Sequence, residues 1–130
     1  MHMKRSELEA IVKEIVDSSY DVHSALGPGM LESSYEICLR FELSTRKLEV
    51  ERQVEMPINY RGVILEKGYR VDLLVANEVI VEVKAVDRTL PVHKAQLLSY
   101  LKMADKRIGL LINFNVPRLH GNIKRVVNGL

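Results

Sequence analysis

Residues 71–84 have the sequence VDLLVANEVIVEVK, in which two apolar runs are separated by Ala76-Asn77-Glu78. Each run is rich in valine, isoleucine and leucine, and the segment between them has the length of a short hairpin loop. If the loop is centred on Asn77, Asp72 and Glu82 are equally far from that centre and face each other across the two strands. The segment therefore predicts an antiparallel hairpin that brings two carboxylates together.

Alternation along the strands assigns a chemistry to each face of this hairpin. Lys84 is two residues after Glu82 and is predicted to share the face of the two acids. The opposite, apolar face is predicted to carry four side chains: Val71, Leu73, Val81 and Val83. Two carboxylates held together on a partly dehydrated sheet repel each other, so that one takes a proton or a cation lies between them.

Oxygen ligands of this kind suit Mg²⁺ or Mn²⁺. A lysine beside such an ion can hold a water molecule or stabilise charge on a phosphoryl oxygen. The plainer alternative is a cross-strand ion-pair ladder on a solvated face, in which each pair contributes about 0–1 kcal/mol. The hairpin alone leaves both interpretations open.

Upstream of the hairpin, the sequence predicts two helices and a long strand. Apolar residues recur with a helical period from Leu8 to Leu26, and Gly27-Pro28-Gly29 ends that helix. A second helix is predicted from about Met30 to Thr45. The alternation of apolar and polar residues from Leu48 to Tyr60 predicts a half-buried strand, followed by turn signals at residues 61–62 and 66–68.

Downstream, Pro91 is well placed in the first turn of a third helix, which is predicted to end near Ala104. The segment from Ile108 to Phe114 predicts a buried strand, and residues 123–127 a last short strand or helix. This order predicts one α+β or α/β domain over residues 1–130.

Composition bounds the class of protein. The chain is 47% hydrophobic and 28% charged, which excludes a disordered tail. Cys38 is the only cysteine, so no intramolecular disulfide can form and a reducing, cytoplasmic setting is expected. The apolar runs of the chain are far shorter than the ~20 residues that span a bilayer, so no membrane association is expected. The net charge of +2 permits a nucleic-acid partner without arguing for one.

The helices contribute further polar residues. Glu32 and Tyr35 are three residues apart and share one face of the second helix. Gln96 and Tyr100 lie on one polar stripe of the third helix, together with His93. The plainer alternatives are a charge that complements the helix dipole for Glu32 and a solvent-facing stripe for the third helix.

Taken in order, these motifs resemble the GxxExxY family. The resemblance extends from about Ile15 to Val127 and rests on five segments: Gly29-x-x-Glu32-x-x-Tyr35, residues 68–75, residues 81–85, residues 96–101 and residues 110–114. That family belongs with the PD-(D/E)XK nuclease-like superfamily, whose core is a helix, three antiparallel strands, a helix and a strand. The resemblance thus implies a restriction-endonuclease-like core with an extra N-terminal helix.

The same resemblance implies roles for individual residues. Asp72 and Glu82 would be metal ligands, and Lys84 the catalytic lysine. Glu32 would be the helix acid that completes the site. A further group would bind the substrate or orient the site, as by positioning the lysine: Gln96, Tyr100 and Tyr35. The chain departs from the superfamily's name at one point, because valine and not proline precedes the aspartate.

The expected function is that of a Mg²⁺- or Mn²⁺-dependent nuclease, with DNA the favoured nucleic acid. Asp72, Glu82 and the backbone carbonyl of Val83 would hold the ion. One alternative is a non-catalytic nucleic-acid-binding module of the same fold, and another is an interaction protein that dimerises through the strand from Leu48 to Tyr60. A chain of this size is expected to need a partner or a homodimer to grip a duplex.

Overall fold

The computed structural model describes residues 2–130, which form three helices and five strands. In chain order the elements are α1 (Arg5–Leu26), α2 (Glu32–Thr45), β1 (Val50–Tyr60), β2 (Val63–Val75), β3 (Val79–Lys84), α3 (Pro91–Ala104), β4 (Ile108–Asn113) and β5 (Ile123–Val127). The predicted mixed architecture is confirmed, and it is consistent with a restriction-endonuclease-like fold. Residues 123–127, whose pattern allows either a short strand or a short helix, form the strand β5.

The five strands form one mixed sheet in the order β1-β2-β3-β4-β5. Neighbouring strands are antiparallel except β3 and β4, which are parallel. These two strands are joined through α3, as a parallel pair requires a long crossover connection. None of the helices described in residues 2–130 is long and apolar enough to cross a bilayer.

Two apolar cores cover the two faces of the sheet. On one face, α1 and α2 pack over side chains that include Leu73, Val81 and Leu110. On the other face, α3 packs through Leu97 and Leu101. The close approach of α3 depends on Gly109 in β4, because a Cβ atom at that position would lie 2.8 Å from Leu97 Cδ1.

The predicted register of the β2–β3 hairpin is confirmed, with Leu73 opposite Val81 and Val75 opposite Val79. The predicted facing of Val71 is wrong. Val71 packs in the core under α3, whereas Leu73 packs under α1 and α2. Strict alternation would place the side chains of Val71 and Leu73 on the same face of the sheet. Since they lie on opposite faces, the alternation of β2 is interrupted between these two residues.

Residues 66–68 are not a turn, because β2 runs without interruption from Val63 to Val75. The β1–β2 register instead shifts between Met56 and Ile58, which pair with Tyr69 and Leu65. Three residues of β2 therefore stand opposite one residue of β1, which makes this irregularity a bulge. Gly68 is required there, since a Cβ atom would overlap the Ile58 side chain.

Candidate active site

Asp72 and Glu82 lie between β2 and β3 and replace the ladder hydrogen bonds of that pair. The Asp72 backbone N–H donates to Glu82 Oε2 at 2.8 Å, and the Val83 N–H donates to Asp72 Oδ2 at 2.8 Å. The sheet thus fixes one oxygen of each carboxylate through a backbone donor. The strand pair opens at this point, and its two acids face each other across the gap.

The electrostatics of this pair follow from its burial. Glu82 is only 6% exposed. Burial, together with repulsion by the Asp72 carboxylate, raises the pKa of Glu82 to about 8. Burial likewise raises the pKa of Asp72, and the nearby Glu32 charge adds to that increase. Two acids that both resist ionisation form a site that favours a proton or a cation.

Lys84 lies at the end of β3, two residues beyond Glu82. Its backbone carbonyl accepts a hydrogen bond from the Phe114 N–H at 2.9 Å, which extends the β3–β4 pairing past the last strand residue. The Lys84 ammonium opposes the effect of burial, because its positive charge lowers the pKa of both Asp72 and Glu82. The acid–acid–lysine arrangement predicted from the hairpin is therefore present in the fold.

Glu32 is brought to the same place by the start of α2. It is the first residue of that helix, and its Oε1 accepts a hydrogen bond from the Ala85 N–H at 3.1 Å. The helix is aimed there by the preceding loop, in which Gly27 and Gly29 have φ values of 67° and 90° that favour glycine. The carboxylate that precedes Asp72 by forty residues in sequence therefore contacts the end of β3.

Tyr35 has a different place from the one predicted. It is fully buried and stacks on Phe114, with ring centroids 4.7 Å apart. Its hydroxyl donates to the Gly27 carbonyl and accepts from the Met30 N–H. A side chain enclosed in this way has no surface for a substrate, so Tyr35 orients the loop that delivers Glu32 instead.

The two predicted residues of α3 lie in different environments. Gln96 is exposed, and its side chain makes no hydrogen bond within residues 2–130. Tyr100 is half-buried beside the acids: burial raises the pKa of its phenol, and the Glu82 and Asp72 charges raise it further. Tyr100 stacks on Tyr69 with ring centroids 4.5 Å apart, and the Tyr69 hydroxyl donates to the Tyr100 carbonyl.

Sequence reasoning missed a second polar group next to Asp72. Glu36 is one turn after Glu32 on α2 and is only 4% exposed. It pairs with Arg52 Nε at 2.9 Å and accepts a hydrogen bond from Gln53 Nε2. The four-residue spacing of the two glutamates was the only signal in the sequence, since it places both on one helix face.

The donor set fits a hard divalent ion bound through few protein ligands. Within residues 2–130, no three His, Cys, Asp or Glu side chains are grouped as a metal centre. Two opposed carboxylates remain, and Mg²⁺ is commonly held by one or two carboxylates with water completing its shell. The Val83 N–H points to Asp72, and the carbonyl of a strand residue points to the same side, so this oxygen faces the gap as well.

Comparison with known proteins gives a family and a structural relative. The sequence model of the PD-(D/E)XK nuclease superfamily matches residues 9–126. A solved structure titled "Crystal structure of SSO0001" is 26% identical and superposes with a TM-score of 0.57. That alignment covers 97% of this chain and 62% of the other, so this chain spans less than two thirds of its relative. A search of curated proteins finds no match.

Proposed function

We propose that this chain, which belongs to the PD-(D/E)XK nuclease superfamily, is a divalent-metal-dependent nuclease that hydrolyses phosphodiester bonds of nucleic acid. The observation that carries the proposal is the pair formed by the partly buried Asp72 and the buried Glu82, with Lys84 two residues further along β3. A protein that needs only a stable sheet gains nothing from two acids that repel each other, one of them buried and the other partly buried. A divalent cation bound between the two acids would neutralise their repulsion and could polarise a phosphate next to it.

Asp72, Glu82 and the Val83 carbonyl would hold the ion, which when bound supplies Lewis-acid polarisation and an acidified water. The positive charge of Lys84 lowers the pKa of both acids, and this lysine would orient the attacking water or stabilise charge on the phosphoryl oxygen. Glu32, held by the Ala85 N–H, would accept a hydrogen bond from that water and keep it in line with the phosphate.

Gln96 and Tyr100 are proposed to orient the lysine or to contact the nucleic-acid backbone. Their four-residue spacing on α3 places them on one helix face, and the shift in the Tyr100 pKa supports its closeness to the acids. Tyr35 supports the site indirectly through the loop before Glu32.

Finer assignments follow from the ordered motifs. We propose that the chain is a member of the GxxExxY family, with Mg²⁺ or Mn²⁺ as the ion and DNA as the substrate. Residues 1–130 are proposed to act as a single nuclease-like domain in the cytoplasm, where one unpaired cysteine stays reduced. A homodimer is proposed for a duplex substrate, because one small domain offers little surface to grip it.

The test is cleavage of single-stranded and duplex DNA and RNA in Mg²⁺ or Mn²⁺, with Lys84→Ala as the matched variant. The expected result is cleavage by the wild type that chelation abolishes. The Lys84→Ala protein should keep its melting temperature and its metal response while losing cleavage. Nucleic-acid binding without cleavage by a wild type that binds the ion would instead favour the non-catalytic binding module.

A further inference from the structure

Gln53 has an unusual backbone conformation in the interior of β1. Its φ is 55°, in the left-handed region that a non-glycine residue seldom occupies within a strand. The flanking residues Arg52 and Val54 stay paired with Leu73 and Val71, while Gln53 drops out of the pairing with β2. The distortion is therefore confined to one residue, and the residue opposite it in this register is Asp72.

The same position is where the β1–β2 ribbon changes its facing. Leu73 packs under α1 and α2, whereas Val54 and Val71 pack under α3. The side chains change from one face of the sheet to the other between the pair Arg52–Leu73 and the pair Val54–Val71, which is the position of Gln53 and Asp72. This local turn of the ribbon carries the Gln53 side chain to the carboxylates.

The Gln53 amide nitrogen faces two carboxylates from two different elements. Its Nε2 donates to Glu36 Oε1 on α2 and lies 3.5 Å from Asp72 Oδ1 on β2, a contact longer than a usual N–H···O hydrogen bond. An amide nitrogen has two hydrogens, so one group can serve both acceptors. Since both neighbours are carboxylates, the nitrogen rather than the carbonyl is the favourable group to direct at them.

Glu36, on the other side of this contact, is nearly fully buried. It forms an ion pair with Arg52 Nε at 2.9 Å, in a geometry that does not make a hydrogen bond. The Gln53 carbonyl oxygen is buried with no hydrogen-bond partner among residues 2–130. The unpartnered carbonyl oxygen of Gln53 and its left-handed backbone both raise the free energy of the folded protein. The fold therefore holds the Gln53 amide in place at the expense of stability.

We propose that Gln53 is a positioning residue for Asp72, anchored by Glu36 and Arg52, and that it sets the affinity of the acid pair for its divalent ion. The Val83 N–H already fixes Oδ2 of Asp72. A donor at Oδ1 fixes the rotation of the carboxylate as well. Partners that orient metal-binding carboxylates typically change metal affinity by about 10–100-fold when they are removed. The inference rests on the proposed function for the identity of the ion.

The experiment measures the Mn²⁺ dissociation constant by electron paramagnetic resonance of the free ion. Gln53→Gly and Gln53→Asn both suit the left-handed backbone, and asparagine keeps the amide on a side chain one methylene shorter. Both should melt at or above the wild-type temperature and bind Mn²⁺ roughly ten-fold or more weakly. Affinity equal to that of the wild type in both folded variants would overturn the inference and leave the nuclease proposal standing.

The anchor is tested separately. Glu36→Gln keeps an acceptor for Gln53 and should retain Mn²⁺ affinity, whereas Glu36→Ala should lose it as Gln53→Gly does. An equal loss in Glu36→Gln and Glu36→Ala would mean that the charge of Glu36, and not its hold on Gln53, is what matters. That result would overturn the positioning role.

A readout without metal separates this inference from the nuclease proposal. The side-chain amide resonances of Gln53, assigned by their absence in Gln53→Gly, should shift between the wild type and Asp72→Asn in ion-free buffer. Unchanged resonances would overturn the contact whatever the protein does with metal. A wild type that shows this shift but binds no Mn²⁺ would overturn the metal site, and with it both the nuclease proposal and the effect of Gln53 on affinity.

Discussion

Two neighbouring rows of residues cross the central strands β2 and β3, and they affect stability in opposite ways. In one row Leu73 pairs with Val81, and both side chains are fully buried between apolar neighbours. Burial of each such side chain stabilises the fold by roughly 1.5–3 kcal/mol. In the adjacent row Asp72 faces Glu82, and burial raises the pKa of both acids. A shift of one residue along β2 and β3 therefore leads from a pair that stabilises the fold to a pair that destabilises it.

The difference shows how the fold can tolerate the acids. The row of Leu73 lies under α1 and α2, at the centre of the larger core. The row of Asp72 lies where the ribbon changes its facing and the strand pair opens, so that backbone N–H groups can serve the carboxylates. A destabilised pair beside a well-packed row is the arrangement expected of a functional site.

Disruption of the apolar row formed by Leu73 and Val81 should have the largest effect on stability. Val81→Asp would place an unpaired carboxylate in the core, which should cost several kcal/mol of a typical stability of about 5–15 kcal/mol. Thermal unfolding measured by circular dichroism should show a protein that is largely unfolded. Val81→Thr, which has nearly the same shape, is the matched control and should keep the fold at reduced stability. A well-folded Val81→Asp would contradict the facing of the whole hairpin.

A metal ion bound between Asp72 and Glu82 should have the next largest effect on stability. An ion that binds only the native state should stabilise it by about 2.7 kcal/mol at a hundred times its dissociation constant. The melting temperature should therefore rise in millimolar Mg²⁺ or Mn²⁺. Asp72→Asn should be as stable as the metal-free wild type, or more stable, and should lose this response. A wild-type melting temperature that the ions leave unmoved would count against the site.

The two rows also differ in how far the sequence could predict them. Alternation and the Asn77 loop were enough to pair Leu73 with Val81 and to bring Asp72 next to Glu82. The same alternation gave the wrong facing for Val71, because it assumes a strand that keeps its faces along its whole length. The exchange of faces at Gln53 is visible only in which of the two cores each neighbouring residue joins, and no local sequence pattern predicts it.

The sequence also could not predict which residue of β1 lies opposite Asp72. A hairpin closed at Arg61-Gly62, as observed at the tip where Tyr60 pairs with Val63, would put Glu51 opposite Asp72 if it continued regularly. The bulge around Gly68 adds two residues to β2, so Gln53 takes that place instead. Such a bulge depends on a close backbone approach that only the folded sheet reveals.

A smaller effect tests the acid row through pH. Without metal, the folded protein retains a proton on Glu82 up to its pKa of about 8, whereas an ordinary glutamate in the unfolded chain loses it near 4.5. Between these values the native state binds more protons, so stability should fall as pH rises, by up to about 1.4 kcal/mol per pH unit for one proton. Urea unfolding in a chelator from pH 5 to 8 measures this slope.

The groups that face Glu82 determine the size of this slope. Asp72 on β2 and Glu36 on α2 have pKa values raised in the same direction, while Lys84 opposes the shift and Tyr100 stays neutral through this range. Glu82→Gln is the matched control and should flatten the slope. Stability that instead stays level from pH 5 to 8 in the wild type would mean that the acids are already ionised in the metal-free fold, since neither state would then release their protons in this range.

The smallest effect on stability concerns Glu32, whose two interpretations differ in what they predict. A carboxylate that only complements the α2 dipole contributes at most about 1 kcal/mol, and its removal leaves the rate of cleavage unchanged. A carboxylate that positions water beside the acid row lowers the rate when it is removed, with little change in fold or in nucleic-acid affinity. Glu32→Gln keeps an oxygen that can accept from the Ala85 N–H, so the helix should stay in place. Thermal melting and single-turnover cleavage in Mn²⁺ should therefore show a nearly unchanged melting temperature with a slower rate. A variant that melts lower and cuts as fast as the wild type would reduce Glu32 to a charge at the helix end, and would leave the site to Asp72, Glu82 and Lys84 alone.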